Sequence, residues 1–207
     1  SDNLHIMIDD YIIISAIFFL GAASPGPSLV IILNQTITNG AYNGYASSFM
    51  HAIVVGIYAL LSATSLGILT SLLPKIYFFT KYIGGVYLLW LGINGLLRHK
   101  DNRNKRINTI KNPYLDGLII AILNPKIFIF FLAVFSQIID KETTWNLKIT
   151  YSSIAMFIDM MWYFSIVYIV SNTISYKWIN IHYQKINFIF SILLIIFSLI
   201  IFMSNYR

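Results

Sequence analysis

Two ionisable side chains, Lys126 and Asp159, stand inside long apolar stretches, and two proline motifs, Ser24-Pro25-Gly26-Pro27 and Asn124-Pro125-Lys126, interrupt such stretches one hundred positions apart. The chemistry these residues offer is the holding of charge. An ammonium gives three N–H donors to a carboxylate, while a carboxylate accepts from an ammonium or takes up a proton where apolar surroundings disfavour its charge. At the centre of a membrane-spanning helix each would cost about 3 kcal/mol, so such residues mark substrate and ion pathways. Snorkelling to an interface is the alternative for Lys126, but the residue lies mid-segment.

The breaks carry their own chemistry. Ser24-Pro25 and Asn124-Pro125 both read as an N-cap followed by proline at the first helical position, so each break restarts a helix. A restarted half-helix presents free N–H groups and the positive end of its dipole, which favour a carboxylate. Gly26 lets backbone or ligand come close. In lipid every freed backbone group needs a partner, so broken helices persist only where protein or an aqueous cavity supplies one. A matched pair of interrupted segments in two halves is the sequence sign of a midplane binding site in an inverted-repeat transporter. The candidate substrate-binding residues are therefore Ser24, Pro25, Gly26, Pro27, Asn124, Pro125, Lys126 and Asp159, with Asp159 also the candidate for a coupling proton. Its partner is open between Lys126, a substrate ammonium and that proton. His51, between Met50 and Ala52, reads as a hydrogen-bonded packing residue.

The elements that must position these groups are apolar helices. Of 207 residues 57% are hydrophobic and 11% charged, and the mean hydropathy is +0.72. Spanning helices need about 20 apolar residues, and six runs qualify: 11–38, 45–71, 76–97, 114–138, 149–171 and 185–204. The expected fold is an all-α membrane protein, one membrane domain over 1–207, made of two inverted three-helix repeats at 11–97 and 114–204 joined by a basic linker at 98–113. Three spans is an odd number, so a tandem copy enters the bilayer the other way round. Setting Pro25 against Pro125 also lays Phe18–Ala23 opposite Leu118–Leu123 and Ser28–Ile32 opposite Phe128–Leu132.

The net charge of +6 is a topology signal, because six of the 14 Lys/Arg fall between Arg98 and Lys111. That loop is expected in the cytoplasm, which puts both termini outside. Asp2, Asp9 and Asp10, with no Lys or Arg before Lys75, give the N-terminus the wrong charge for a signal peptide, so segment one is expected to be retained. Nucleic acid is not the partner; the lipid bilayer is. The absence of cysteine excludes disulfides and thiolate metal sites, and four scattered histidines lack ligand spacing. No Gly-x4-Gly-Lys-Ser/Thr motif occurs, so the chain does not itself couple nucleotide hydrolysis to movement. No cofactor is expected, and an intramembrane hydrolase would lack a nucleophile beside a base. Ser48, Ala52 and Gly56, then Ala59, Ala63 and Gly67, form small-residue ladders for close helix packing, as do Gly84, Gly85, Gly92 and Gly95.

Several blocks resemble the LysE/RhtB amino-acid exporters: Ser24-Pro25-Gly26-Pro27, Lys81 through Gly92, Gly117-Leu118 through Leu123-Asn124-Pro125-Lys126 to Ala133, and Asp159-Met160-Met161-Trp162-Tyr163. The likeness runs nearly end to end. It implies a secondary exporter of amino acids in the bacterial inner membrane, not an enzyme, driven by the proton motive force. Met50 and Val54 stand where the family usually has glycines, Tyr58 where it often has histidine, and Ser191 and Ser198 where it has two further glycines. These departures bear on substrate and coupling more than on fold. A cationic substrate side chain would require a second carboxylate in the membrane, and Asp159 is the one clear candidate, so a neutral amino acid or derivative is favoured. The alternatives are a metal-ion exporter of a related branch, which lacks the expected ligand clusters, and a non-transporting scaffold, which leaves Lys126 and Asp159 unexplained. A homo-oligomer is left open.

Overall fold

A computed structural model describes residues 2–24, 26–72, 74–97 and 112–172, with positions 185, 188, 189, 191–196, 198, 199, 202 and 203. Pro25, the basic stretch 98–111 and part of the sixth apolar segment lie outside the described residues. Among the described residues all regular structure is helical: α1 (Asp2–Ala23), α2 (Pro27–Asn39), α3 (Ala41–Leu72), α4 (Pro74–Leu97), α5 (Pro113–Ile122), α6 (Pro125–Ile138) and α7 (Trp145–Asn172). Helical positions recur at 191–196.

Helix ends follow local chemistry more than hydropathy. Gly40, at φ 90°, closes α2 in the left-handed region that glycine alone enters without strain, and its N–H donates to the Thr36 carbonyl at 3.1 Å. The chain can then restart at Ala41, four positions before the expected 45, and the Asn43 amide spans the junction to the Asn39 carbonyl at 2.7 Å. α7 likewise begins at Trp145 rather than 149, where the Thr144 hydroxyl accepts from the Leu147 N–H at 3.4 Å. An apolar window sees only the part of a helix that matches lipid; the polar turn beyond it is helical too. Between α6 and α7, Asp140 accepts from the Thr143 hydroxyl at 2.7 Å and the Glu142 N–H at 3.0 Å, and the Thr143 bond holds its carboxyl below the usual range.

Ala41–Ile68 of α3 and Trp145–Asn172 are each long and apolar enough to cross a bilayer. The pairs α1/α2 and α5/α6, bent by 65° and 52° at their breaks, qualify as one broken span each, which gives up to four spans among the described residues. The polarity of the packing fits lipid. Large apolar side chains such as Ile57, Leu61, Ile68, Phe157 and Met161 face outward, whereas the interior collects Gln35, Ser47, Ser48, His51, Ser62, Asp116 and Asp159. In a soluble protein that arrangement would be inverted.

α3 is the central helix, packed most extensively on α7 and α5. The ladder residues Ser48, Ala52, Ala59 and Ala63 are fully buried as their spacing implied. Gly117 of α5 lies directly on the Ser47 backbone, where any side chain would collide. α7 turns Tyr151, Ala155, Asp159, Tyr163 and Val167 inward at four-residue steps, which places Asp159 on the face that meets α3. At the far side of the fold the Ser198 hydroxyl donates to the Gly85 carbonyl at 2.8 Å, and Gly92 backs onto Ser191 and Ile195, so both serines that replace usual glycines seat on α4.

Candidate functional site

The first break is built differently from the reading of Ser24 as a cap. Gly26 is the N-cap of α2, in an extended conformation at φ −156° and ψ −172°, and Pro27 takes the first helical position. The proline after Gly26 explains the shift, since it disfavours the helical conformation for the residue before it. No side chain caps α2, so its first-turn amides stay available to an acceptor. Ser24 instead ends α1, with its N–H still bonded to the Leu20 carbonyl at 3.0 Å.

The second break matches the sequence reading. Asn124 is the N-cap of α6, Pro125 follows it, and the Asn124 Oδ1 accepts the Lys126 N–H at 3.1 Å. Its amide reaches across the fold to the Ser28 Oγ at 3.1 Å, joining the two restarted helices. Lys126 reaches across as well: its Nζ donates to the Ser24 carbonyl at 2.8 Å and the Ser24 Oγ at 2.9 Å. A cation at the positive start of α6 is unfavourable by itself, but the carbonyl end of α1 supplies the opposite dipole.

Asp159, 4% exposed, takes His51 as its partner, with Nδ1 to Oδ2 at 2.8 Å. Among the described residues the carboxylate is bridged by His51 and not by Lys126. His51 is itself 2% exposed, and its ring meets the Tyr163 ring edge-on at 5.0 Å. The Tyr163 hydroxyl lies near Ser28 and Asp159. His51 is therefore hydrogen-bonded, as expected of a packing residue, but to the one group the sequence singled out for chemistry.

These residues surround one partly open cavity, lined by Ser24, Gly26, Ser28, His51, Asn124, Lys126, Asp159 and Tyr163 among its polar residues and by Phe18, Val55, Ile127, Phe130 and Phe131 among its apolar ones. Phe18 meets Phe131 edge-on at 5.6 Å and Phe135 edge-on at 5.7 Å. Gly21 lets the Phe130 ring lie against α1, where a methyl group would overlap it. Of the expected site residues, Ser24, Gly26, Asn124, Lys126 and Asp159 converge here; Pro27 and Pro125 set the helix starts. Pro25 is outside the described residues.

The LysE type translocator family model matches residues 19–205. The chain belongs to that family. Its relatives include a leucine efflux protein of Klebsiella pneumoniae, 26% identical over 62% of this chain and 61% of that protein. An uncharacterised membrane protein of Pseudomonas aeruginosa is 28% identical over 56% of this chain and 57% of its own length, and the membrane protein YahN of Escherichia coli is 24% identical over 68% and 66%. The matched stretch thus spans about three fifths of the length of the first two of these relatives. No solved structure matches.

In this LysE type translocator the sequence did not pair His51 with Asp159. His51 and Asp159 are 108 positions apart, and the available signal was that each is an ionisable group inside the middle apolar run of its half. Asp116 corrects the reading that Asp159 is the one carboxylate inside: it is 4% exposed and accepts from the Gln35 Nε2 at 2.7 Å, with Asn39 in turn donating to Gln35 at 2.7 Å. It sits in the first turn of α5, where the helix dipole favours negative charge. It does not line the cavity.

Proposed function

We propose that this chain exports amino acids across the bacterial inner membrane as a secondary transporter, takes protons in exchange, and favours neutral substrates; it is not an enzyme and needs no cofactor. The observation that carries the reading is the cavity's division of charge. Lys126 and the uncapped start of α2 stand on one side and the Asp159 carboxylate on another, which suits the two ends of an amino-acid zwitterion. The remaining wall, Phe18, Val55, Ile127, Phe130 and Phe131, suits an apolar side chain, and the second buried carboxylate, Asp116, lies elsewhere. A relative named for leucine efflux agrees with this choice.

The architecture we infer is six spans in two inverted three-helix repeats, 11–97 and 114–204, joined by 98–113, with both termini outside the cytoplasm. It is supported by an exchange of partners: α3 packs on α5 and α6, and α7 packs on α1 and α2, so the middle helix of each half clasps the broken helix of the other. Such reciprocity is what a two-fold axis in the membrane plane produces. Single cysteines at Asn3 and Asn205 should label from outside intact cells, and one at Asn104 only after permeabilisation; external labelling at Asn104 would reverse the orientation.

The function itself is tested in proteoliposomes carrying the purified protein, with labelled amino acids and an imposed pH gradient. L-Leucine and similar neutral amino acids should accumulate against their gradient, and lysine and arginine should not. Failure to move any amino acid in either exchange or gradient mode would sink the proposal.

A further inference from the structure

We propose that His51 carries the exchanged proton, its positive charge alternating with that of the substrate's α-ammonium beside the Asp159 carboxylate, so that binding an amino acid expels one proton from the imidazole. This rests on the export reading above and gives a role to a residue of its site that the reading leaves without one.

The geometry supplies the steps. An ionised carboxylate can only accept, so the 2.8 Å contact between Nδ1 and Oδ2 puts a hydrogen on Nδ1. The imidazole then gains or loses its second proton at Nε2. That nitrogen is buried and has no hydrogen-bond partner among the described residues, in a ring that borders the cavity. Buried polar atoms are rarely left so without a reason. On the carboxylate, His51 occupies Oδ2, and Oδ1 has no partner among the described residues, which leaves it to a ligand's ammonium.

The other groups facing the pair decide how many cations fit. Tyr163 from α7 and Ser28 from α2 are neutral, and Lys126 from α6 is a cation already committed to Ser24. Asp116, the other buried carboxylate, is held by Gln35 outside the cavity. Among the described residues a single carboxylate thus stands near His51, and in a site removed from water it cannot balance an imidazolium and an ammonium together. Two loaded states remain. In one, imidazolium rests on Asp159 and no ammonium is present. In the other, the amino acid's ammonium takes Oδ1, the Nε2 proton leaves to water, and neutral imidazole keeps its Nδ1–H on Oδ2. Asp159 stays ionised throughout, and the exchange is one proton for one amino acid. The imidazole suits the task because it is the side chain whose charge changes near physiological pH.

The test has two arms. Purified wild-type protein in weakly buffered detergent at about pH 6, titrated with L-leucine and followed by a pH-indicator dye, should release about one proton per leucine bound. In proteoliposomes, His51→Asn keeps a donor to Asp159 but cannot be charged; it should lose at least tenfold more of its pH-driven leucine accumulation than of its leucine counterflow, which needs no net proton movement. Leucine binding without proton release, or accumulation and counterflow lost together by the folded variant, would overturn the assignment and leave export standing. A wild-type protein that neither binds nor exchanges leucine would instead remove the export reading and this inference with it.

Discussion

Lys126→Met should weaken leucine exchange by about 10- to 100-fold while the protein remains folded in the membrane. The range follows from a charge-assisted hydrogen bond to the substrate carboxylate, worth about 1.5–3 kcal/mol. Methionine keeps the length of the stem and its packing, so the loss isolates the charge. The double substitution with Asp159→Asn then separates two meanings of these buried charges. Were they each other's partners, removing both would be better tolerated than removing either, because one orphaned buried charge costs more than none. The structure gives them different partners, Ser24 for Lys126 and His51 for Asp159, so no such rescue is expected and the double variant should stay inactive. Transport by purified single and double variants, with thermal melting in detergent as the folding control, decides this. Restored transport in the double variant would mean a structural ion pair.

The separate partners were only half legible in the sequence. Lys126 and Asp159 were conspicuous because an ionisable residue in an apolar run has few explanations, and the prolines were conspicuous because lipid tolerates few breaks. What those signals lack is distance. That Ser24 lies within 2.9 Å of Lys126 depends on how two bent helices cross, and nothing local in Ser24-Pro25 reveals whether its hydroxyl caps its own helix or holds a lysine on another. His51 was harder still: one imidazole beside Met50 and Ala52 looks like packing until α3 is laid on α7 and the carboxylate appears opposite. Asp116 escaped because the run around it, Tyr114 to Ile122, reads as a span edge, where an acid needs no special account.

The helix starts were legible to different degrees for a physical reason that also predicts their mutants. At the second break Asn124 has one proline after it and can cap in only one way; at the first, Pro25 and Pro27 compete, and the start moves to Gly26. Pro125→Ala removes the one residue that forbids α5 from running on into α6, because alanine favours the helix and restores the missing N–H. A continuous helix would erase the 52° bend, rotate Asn124 away from Ser28 and carry Lys126 off Ser24. Export should fall at least tenfold, with folded protein still present, and Pro25→Ala should lower it too. Gly26→Ala offers the contrast. Its φ and ψ are extended values open to any residue, and a methyl group there would meet the Lys126 Nζ at 3.7 Å and the Ser24 carbonyl at 3.9 Å, ordinary contacts. That substitution should cost less than Pro125→Ala, as measured by leucine counterflow at matched protein levels. Near-normal counterflow by folded Pro125→Ala protein would show that the restarted helix is not what holds the substrate's carboxylate, and the site would then reduce to its side-chain charges.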